Sequence, residues 1–269
     1  MFKPVRPDDP FGLAISPEGP VVGAAVSTVD GVSEAEDWRA AMDSWPVRSP
    51  RKSGLLFADD VLEALDRVVA EHSDGVFDAI FADPPFFISG ERQSMGVSQR
   101  HEFDLAWLSR CQKLLKPNGT IWVSGPLSFV RSAGFAMQQL CFKLLNDVYW
   151  VKENMQPSHR RDVLTRKSEA IIWAAKTEKS KHYFDYKLMK EMNGGKQMKS
   201  VWPIPAPQVL DPEGHLLPWS KPEDLTSRML LASTKPGDLI LDLSPASDGK
   251  AAIALEFGRR YTDLSMEGL

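Results

Sequence analysis

Two cysteines in 269 residues, Cys111 and Cys141, are too few to staple a fold. Both fall in helix-like patterns without ligand spacing, so buried thiols are expected rather than a disulfide or a metal site. Long apolar runs are also missing. Nothing approaches the ~20 residues that span a bilayer, and the N-terminus has no charged-then-apolar segment of the signal type, so a cytoplasmic protein is expected. Nor is there an excess of positive charge: 32 Lys and Arg face 36 Asp and Glu, a net charge of −4 that does not by itself announce a nucleic-acid partner. No RNA-binding module is visible.

What is present is an ordinary globular composition, 43% hydrophobic and 25% charged. A chain of this length can bury a substantial core, and one large α/β domain with insertions fits better than two equal domains. The charge is unevenly placed. Residues 151–200 hold twelve Lys and Arg against six Asp and Glu, whereas residues 1–50 hold four against eight. A basic patch of that kind can supply the salt-dependent attraction to phosphates that the whole chain lacks; a solvated lysine-rich helix face is the plainer alternative.

Residues 1–53 are rich in Pro, Ser, Gly and Asp and read as a loosely ordered arm or strap, with a helix over 34–43. From Leu55 the pattern becomes regular: a strand at Leu55–Ala58, a helix at Asp60–Glu71 and a strand at Val76–Ala82. Residues 83–100 form a loop, followed by a helix at His101–Lys116 that Pro117-Asn118-Gly119 stops. A strand at Thr120–Ser124, a helix at Ser128–Cys141 and a strand at Leu144–Val151 complete the alternation, which predicts a parallel sheet with crossover helices. In such a sheet ligands sit at the carboxyl ends of the strands, where Asp60, Asp83 and Asp242 fall.

Asp83-Pro84-Pro85-Phe86 closes the strand at Val76–Ala82 and carries the strongest chemical signal. An exocyclic amine on a purine or pyrimidine is a poor nucleophile because its lone pair is delocalised into the ring. The Asp83 carboxylate and the Pro84 carbonyl are pure acceptors that can take both N–H bonds and turn the lone pair outwards. Pro84-Pro85 makes a stiff shelf, since proline fixes its own φ and holds the preceding residue extended. Phe86 offers a flat face, and base stacking on an aromatic ring is worth roughly 1–3 kcal/mol, comparable with the cost of unstacking a base. The plainer reading is a turn closing a strand, yet such a tetrapeptide should arise by chance in on the order of one chain in a hundred of this length.

The tetrapeptide resembles motif IV of the amino-methyltransferases of DNA, and the residues from about Leu55 to Leu269 resemble the permuted class of that family, in which the catalytic motif precedes the cofactor loop. Asp59-Asp60-Val61-Leu62 resembles the acidic strand end before motif IV, with Asp60 at the acidic position. Ser220-Lys221-Pro222-Glu223-Asp224-Leu225 followed by Lys235-Pro236-Gly237-Asp238-Leu239-Ile240-Leu241-Asp242 resembles motif X running into motif I. Gly258-Arg259-Arg260-Tyr261-Thr262-Asp263 is similar to the second strand, whose terminal acid holds the ribose of S-adenosylmethionine. The resemblance implies a doubly wound, mostly parallel α/β sheet of the Rossmann-like methyltransferase type over residues 54–269, with 152–202 as an irregular target-recognition insertion. It implies S-adenosylmethionine as cofactor, DNA as partner, and a methyl group delivered to adenine N6 in a flipped-out base. Asp83 with Pro84, Pro85 and Phe86 would be catalytic, while Asp60, Lys221, Asp242, Ser244, Ala246 and Asp263 would line the cofactor site, Lys221 near the cofactor carboxylate. His159, Arg160, Arg161, Arg166 and Lys167 would meet phosphates or base edges. A homodimer or a partner subunit stays open.

One departure stands out. The family usually reads Asp-Pro-Phe-x-Gly-Ser-Gly-Thr-Thr where this chain has Asp242-Leu243-Ser244-Pro245-Ala246-Ser247-Asp248-Gly249-Lys250. Glycines let a loop approach a ligand and adopt φ > 0, and side chains at Ala246 and Asp248 take up that space. Gly249 can restore the freedom one residue later, and Lys250 can meet the cofactor carboxylate. A catalytically silent relative that binds DNA or a partner subunit is therefore the alternative to a DNA adenine methyltransferase. Cytosine N4 poses the same chemical problem as adenine N6, and a metabolite methyltransferase is a third reading.

Overall fold

The structure, a computed structural model, describes residues 58–72, 74–83, 96–154, 161–208, 221–244 and 249–264. The expected arm at 1–53, the helix at 34–43 and most of the expected strand at Leu55–Ala58 lie outside the described residues. In chain order the elements are α1 (Ala58–Glu71), β1 (Phe77–Ala82), α2 (Val97–Leu114), β2 (Leu115–Gly125), α3 (Leu127–Gln139), β3 (Lys143–Val151), β4 (Ser168–Ala175), α4 (Tyr186–Met192), β5 (Val201–Pro203), α5 (Glu223–Ser233), β6 (Leu239–Asp242), α6 (Lys250–Glu256) and β7 (Arg260–Asp263).

The strands form one sheet in the order β5-β3-β4-β2-β1-β6-β7. All pairings are parallel except the two that β4 makes, with β2 and β3. Successive residues of each strand point to opposite faces, and both faces are covered. On β1, Ile80 joins Val61, Leu65, Trp107, Leu108 and Ala133 under α1, α2 and α3. Its neighbours Ala79 and Phe81 join Met189, Leu225, Met229 and Ile253 under α4, α5 and α6. On β2, Ile121 and Val123 face the first layer and Trp122 the second. Trp122 and Trp173 stack across the β2–β4 pair, 4.9 Å between centroids and 5° between planes. Such a pair adds about 0.5–1.5 kcal/mol beyond its burial.

Pro117-Asn118-Gly119 does not end the region's pairing but shifts it: Phe77 pairs with Leu115, and Ala79 with Thr120. Gly119 is required there because a Cβ would lie 2.8 Å from the Phe77 carbonyl oxygen. Asp78, at the shift, accepts from Lys116 Nζ and from the Leu239 amide at 2.9 Å, so it links β1 to both neighbours. Pro222 sits extended just before the first turn of α5 (φ −67°, ψ 146°), with Glu223 and Asp224 in that turn. One further departure from expectation is local. Cys111 is buried as expected, which pushes its thiol pKa up, but Cys141 is exposed, held left-handed (φ 59°) just beyond α3.

Reversal of β4 has the largest consequence. Residues 152–167 connect β3 to β4 as an antiparallel pair, Val151 opposite Ser168 and Lys143 opposite Ala175. The amino end of β4 therefore joins the carboxyl ends of the other six strands at one edge of the sheet. Residues 152–202, expected as an irregular insertion that contains a strand at Ala170–Ala175, contribute that strand as an inner member of the sheet, with α4, the edge strand β5 and the exposed segment 161–167. Among the described residues no helix is long and apolar enough to cross a membrane.

Candidate active site

Asp83 leaves β1 at the edge just described. Its amide donates to Ser244 Oγ at 3.0 Å, and one of its carboxylate oxygens, Oδ2, lies 2.9 Å from Lys221 Nζ. Lys221 precedes α5 and is almost wholly buried; its ammonium also reaches Glu169 Oε2 at 2.9 Å. Glu169, the second residue of β4, receives Lys152 on its other oxygen, Oε1. The indole ring of Trp150 lies beneath both cations, 4.5 Å from Lys152 Nζ and 5.6 Å from Lys221 Nζ, and its N–H is spent on the Ile204 carbonyl.

Charge in this cluster is tightly paired. Burial alone would push the Lys221 pKa down, but Asp83 and Glu169 outweigh it and hold the ammonium protonated above its ordinary range. Burial alone would raise Glu169, yet Lys221 and Lys152 hold its carboxyl below the usual glutamate value. Lys221, read from sequence as a residue near the cofactor carboxylate, has its ammonium between two carboxylates of the protein. Glu169 and Lys152 were not singled out by the sequence as site residues. The available signal was the pair of polar side chains flanking the β3–β4 connection, but a parallel reading of β4 sends Glu169 to the opposite edge.

Next to β1, β6 ends at Asp242 and β7 at Asp263, in register with each other; Phe81 pairs with Asp242. Three acids thus leave three adjacent strands, roughly 4.8 Å apart strand to strand. Asp242 is fully buried. Its Oδ1 accepts the Ser244 amide at 2.9 Å, its Oδ2 accepts the Tyr261 hydroxyl at 2.8 Å, and Lys250 Nζ lies 3.4 Å away. Its carboxylate holds the turn that follows β6. Ser244, where the resembling family has Phe, is buried and carries the bond to Asp83. Gly249 is left-handed (φ 72°), so it supplies conformational freedom at the start of α6.

Of the other expected site residues, Arg161, Arg166 and Lys167 are exposed on the β3–β4 connection, at the same edge as Asp83. Pro84, Pro85, Phe86, His159, Arg160 and Ala246 lie outside the described residues, as does the side chain of Asp60 at the start of α1. Among the described residues, no group of three or more His, Cys, Asp or Glu could hold a metal ion.

A family model described as DNA methylase matches residues 77–263, from β1 through β7. The chain belongs to this family of DNA methylases. The methylase is 37% identical over 231 residues to the Type II methyltransferase M2.DpnII of Streptococcus pneumoniae, an alignment covering 79% of this chain and 85% of that one. It is 35% identical over 216 residues to the Type II methyltransferase M2.MboI of Moraxella bovis, covering 74% and 79%. Among solved structures it resembles the M1.HpyAVI–SAM complex (TM-score 0.58, 20% identity, 76% of this chain and 88% of that one). It likewise resembles PvuII DNA methyltransferase, cytosine-N4-specific (TM-score 0.60, 18% identity, 75% and 78%). At those identities the likeness shows the fold, a Rossmann-like sheet of the methyltransferase type.

S-adenosylmethionine is the methyl donor of this DNA methylase. The residues present fit it: Asp263 ends the strand beside Asp242, and left-handed Gly249 opens the helix that follows β6. When bound, the cofactor supplies an electrophilic methyl group on a sulfonium. The relatives are methyltransferases by name, which gives the silent-relative alternative no support.

Proposed function

We propose that the protein transfers a methyl group to adenine N6 in DNA, on a base turned out of the duplex, as the modification enzyme of a Type II system. The single observation that carries this reading is Asp83 at the carboxyl end of β1, beside the two acids that end β6 and β7. With Oδ2 committed to Lys221, Oδ1 of Asp83 takes one amine N–H and the Pro84 carbonyl takes the other. This would free the nitrogen lone pair for the donor's methyl carbon; the methyl–sulfur bond would break with its electron pair left on sulfur, and the proton lost from the amine would pass to water. Phe86 stacks the base and spends on it what unstacking costs. Asp263 holds the ribose hydroxyls of the donor. Asp242, through its bonds to Ser244 and Tyr261, shapes the turn at the methionine end, and Ala246 and Asp60 are proposed as further cofactor-site residues.

Arg161, Arg166 and Lys167, with His159 and Arg160 on the same connection, supply phosphate and base-edge contacts at the edge where Asp83 opens. An acid rather than serine at position 83 favours adenine over cytosine N4. The two relatives described here are named as Type II methyltransferases, which supports a modification role.

The test is Asp83→Asn, which keeps the size of the side chain and removes its charge. Methyl transfer to DNA should fall at least about 10²-fold, because an aligned acceptor of charge is lost, while calorimetric binding of S-adenosylmethionine persists. Wild-type turnover in the variant would refute the assignment.

A further inference from the structure

We infer that Glu169 is a positioning residue for methyl transfer, acting through Lys221 on Asp83; the inference rests on Asp83 as the acceptor of the amine. Four charges alternate across the sheet edge: Asp83, Lys221, Glu169 and Lys152. They come from four separate segments, the ends of β1 and β3, the start of β4 and the entry to α5. All four side chains are largely withdrawn from water, with relative exposures of 15% for Asp83, 3% for Lys221, 20% for Glu169 and 12% for Lys152.

The geometry assigns Glu169 two tasks. An ammonium is a flexible point charge with three donors. Bonded to Asp83 alone, Lys221 would concentrate its charge on the one carboxylate that has to polarise the substrate. Glu169 takes the ammonium from its other side at 2.9 Å, the same distance as the Asp83 bond, so the cation is divided between two acids and Asp83 keeps more of its negative field. That field matters because the amine nitrogen gains positive charge as it is methylated, facing a donor that is itself cationic. The second task is geometric. Lys152 fixes Glu169 from its far oxygen, Glu169 fixes Lys221, and Lys221 fixes Oδ2 of Asp83, which leaves Oδ1 for the amine. The Trp150 ring closes the cluster from below.

A residue that acts this way changes turnover rather than substrate affinity. Steady-state methylation of duplex DNA by the full chain, with calorimetric binding of S-adenosylmethionine, should show Glu169→Gln lowered about ten- to a hundredfold in kcat, the range expected for a misplaced reacting group. KM for DNA and the donor Kd should stay within about threefold, the signature of an interaction that matters in the transition state. Glu169→Asp, which keeps the charge on a shorter arm, should fall between wild type and Glu169→Gln.

Wild-type kcat in Glu169→Gln, a loss confined to KM for DNA, or an Asp variant no better than the Gln variant would each overturn the inference. Should Glu169→Gln not fold, Glu169→Asp decides: reduced kcat at unchanged KM supports the role, and wild-type kcat overturns it. Asp83→Asn is measured in parallel. If that variant turns over normally, the assignment of Asp83 fails first; if it is inactive while Glu169→Gln behaves as wild type, only the role of Glu169 fails.

Discussion

Ser244→Ala isolates the link between the altered cofactor turn and the catalytic strand. The hydroxyl accepts the Asp83 amide at 3.0 Å, whereas the bonds that the Ser244 amide donates to Asp242 Oδ1 and the Leu243 amide donates to the Phe81 carbonyl do not involve the hydroxyl and survive the change. Alanine therefore removes one acceptor and little volume. An amide left unpaired in a buried setting costs about 1–3 kcal/mol, and since this bond is only partly buried, water can replace part of it and the expected loss is about 1 kcal/mol. With a urea slope of about 3 kcal/mol per molar for a protein of this size, the unfolding midpoint should fall by about 0.3 M. Turnover should fall more steeply, by about tenfold or more, because displacing a reacting group by about 1 Å can cost a hundredfold. Urea titration by fluorescence and steady-state methylation measure both quantities. An unmoved midpoint together with unchanged kcat would show that Ser244 does not hold Asp83.

Two further outcomes follow from the charges. His182 stands edge-on to Trp173 at 5.3 Å, its Nδ1 has no hydrogen-bond partner among the described residues, and burial with the nearby Lys143 charge holds its pKa below the ordinary 6.5. A depressed folded-state pKa means the unfolded chain takes up the proton first. The stability it contributes is therefore full above pH 6.5 and is lost as pH falls through the lower folded value. His182→Leu should flatten that part of the urea-midpoint profile, and an unaltered profile would contradict it. Neutralising Arg161, Arg166 and Lys167 together should reduce the slope of log K for DNA against log salt by about 2 to 3, since each phosphate contact contributes about 0.9; an unchanged slope would place the DNA elsewhere.

The outer frame of the fold was legible because it rests on local signals. Apolar runs bounded by turn residues located β1, β3 and β6, and the helical spacing of Phe103, Leu108, Cys111 and Leu114 located α2, which begins one turn earlier than the pattern suggests. The direction of β4 was not legible. An inner strand reads as an apolar run whichever way it points, and Ala170–Ala175 shows no polarity until its partners are known. Asp83 stood out in the sequence because the chemistry proposed for it is written in adjacent residues. Glu169 and Lys152 did not, because the role proposed for them depends on a strand reversal and on a lysine some fifty positions away in the chain. The sequence placed Ser244 in the altered loop as a residue lining the cofactor site. In the fold it is a hydrogen-bond acceptor, and that function is invisible without the register between β1 and β6.

The atom that receives the methyl group distinguishes adenine N6 from cytosine N4. Duplex DNA incubated with the purified chain and isotopically labelled S-adenosylmethionine, digested to nucleosides and resolved by mass spectrometry, should carry the label in N6-methyladenosine of the deoxy series. Label in N4-methylcytosine, or none in DNA at all, would contradict the account.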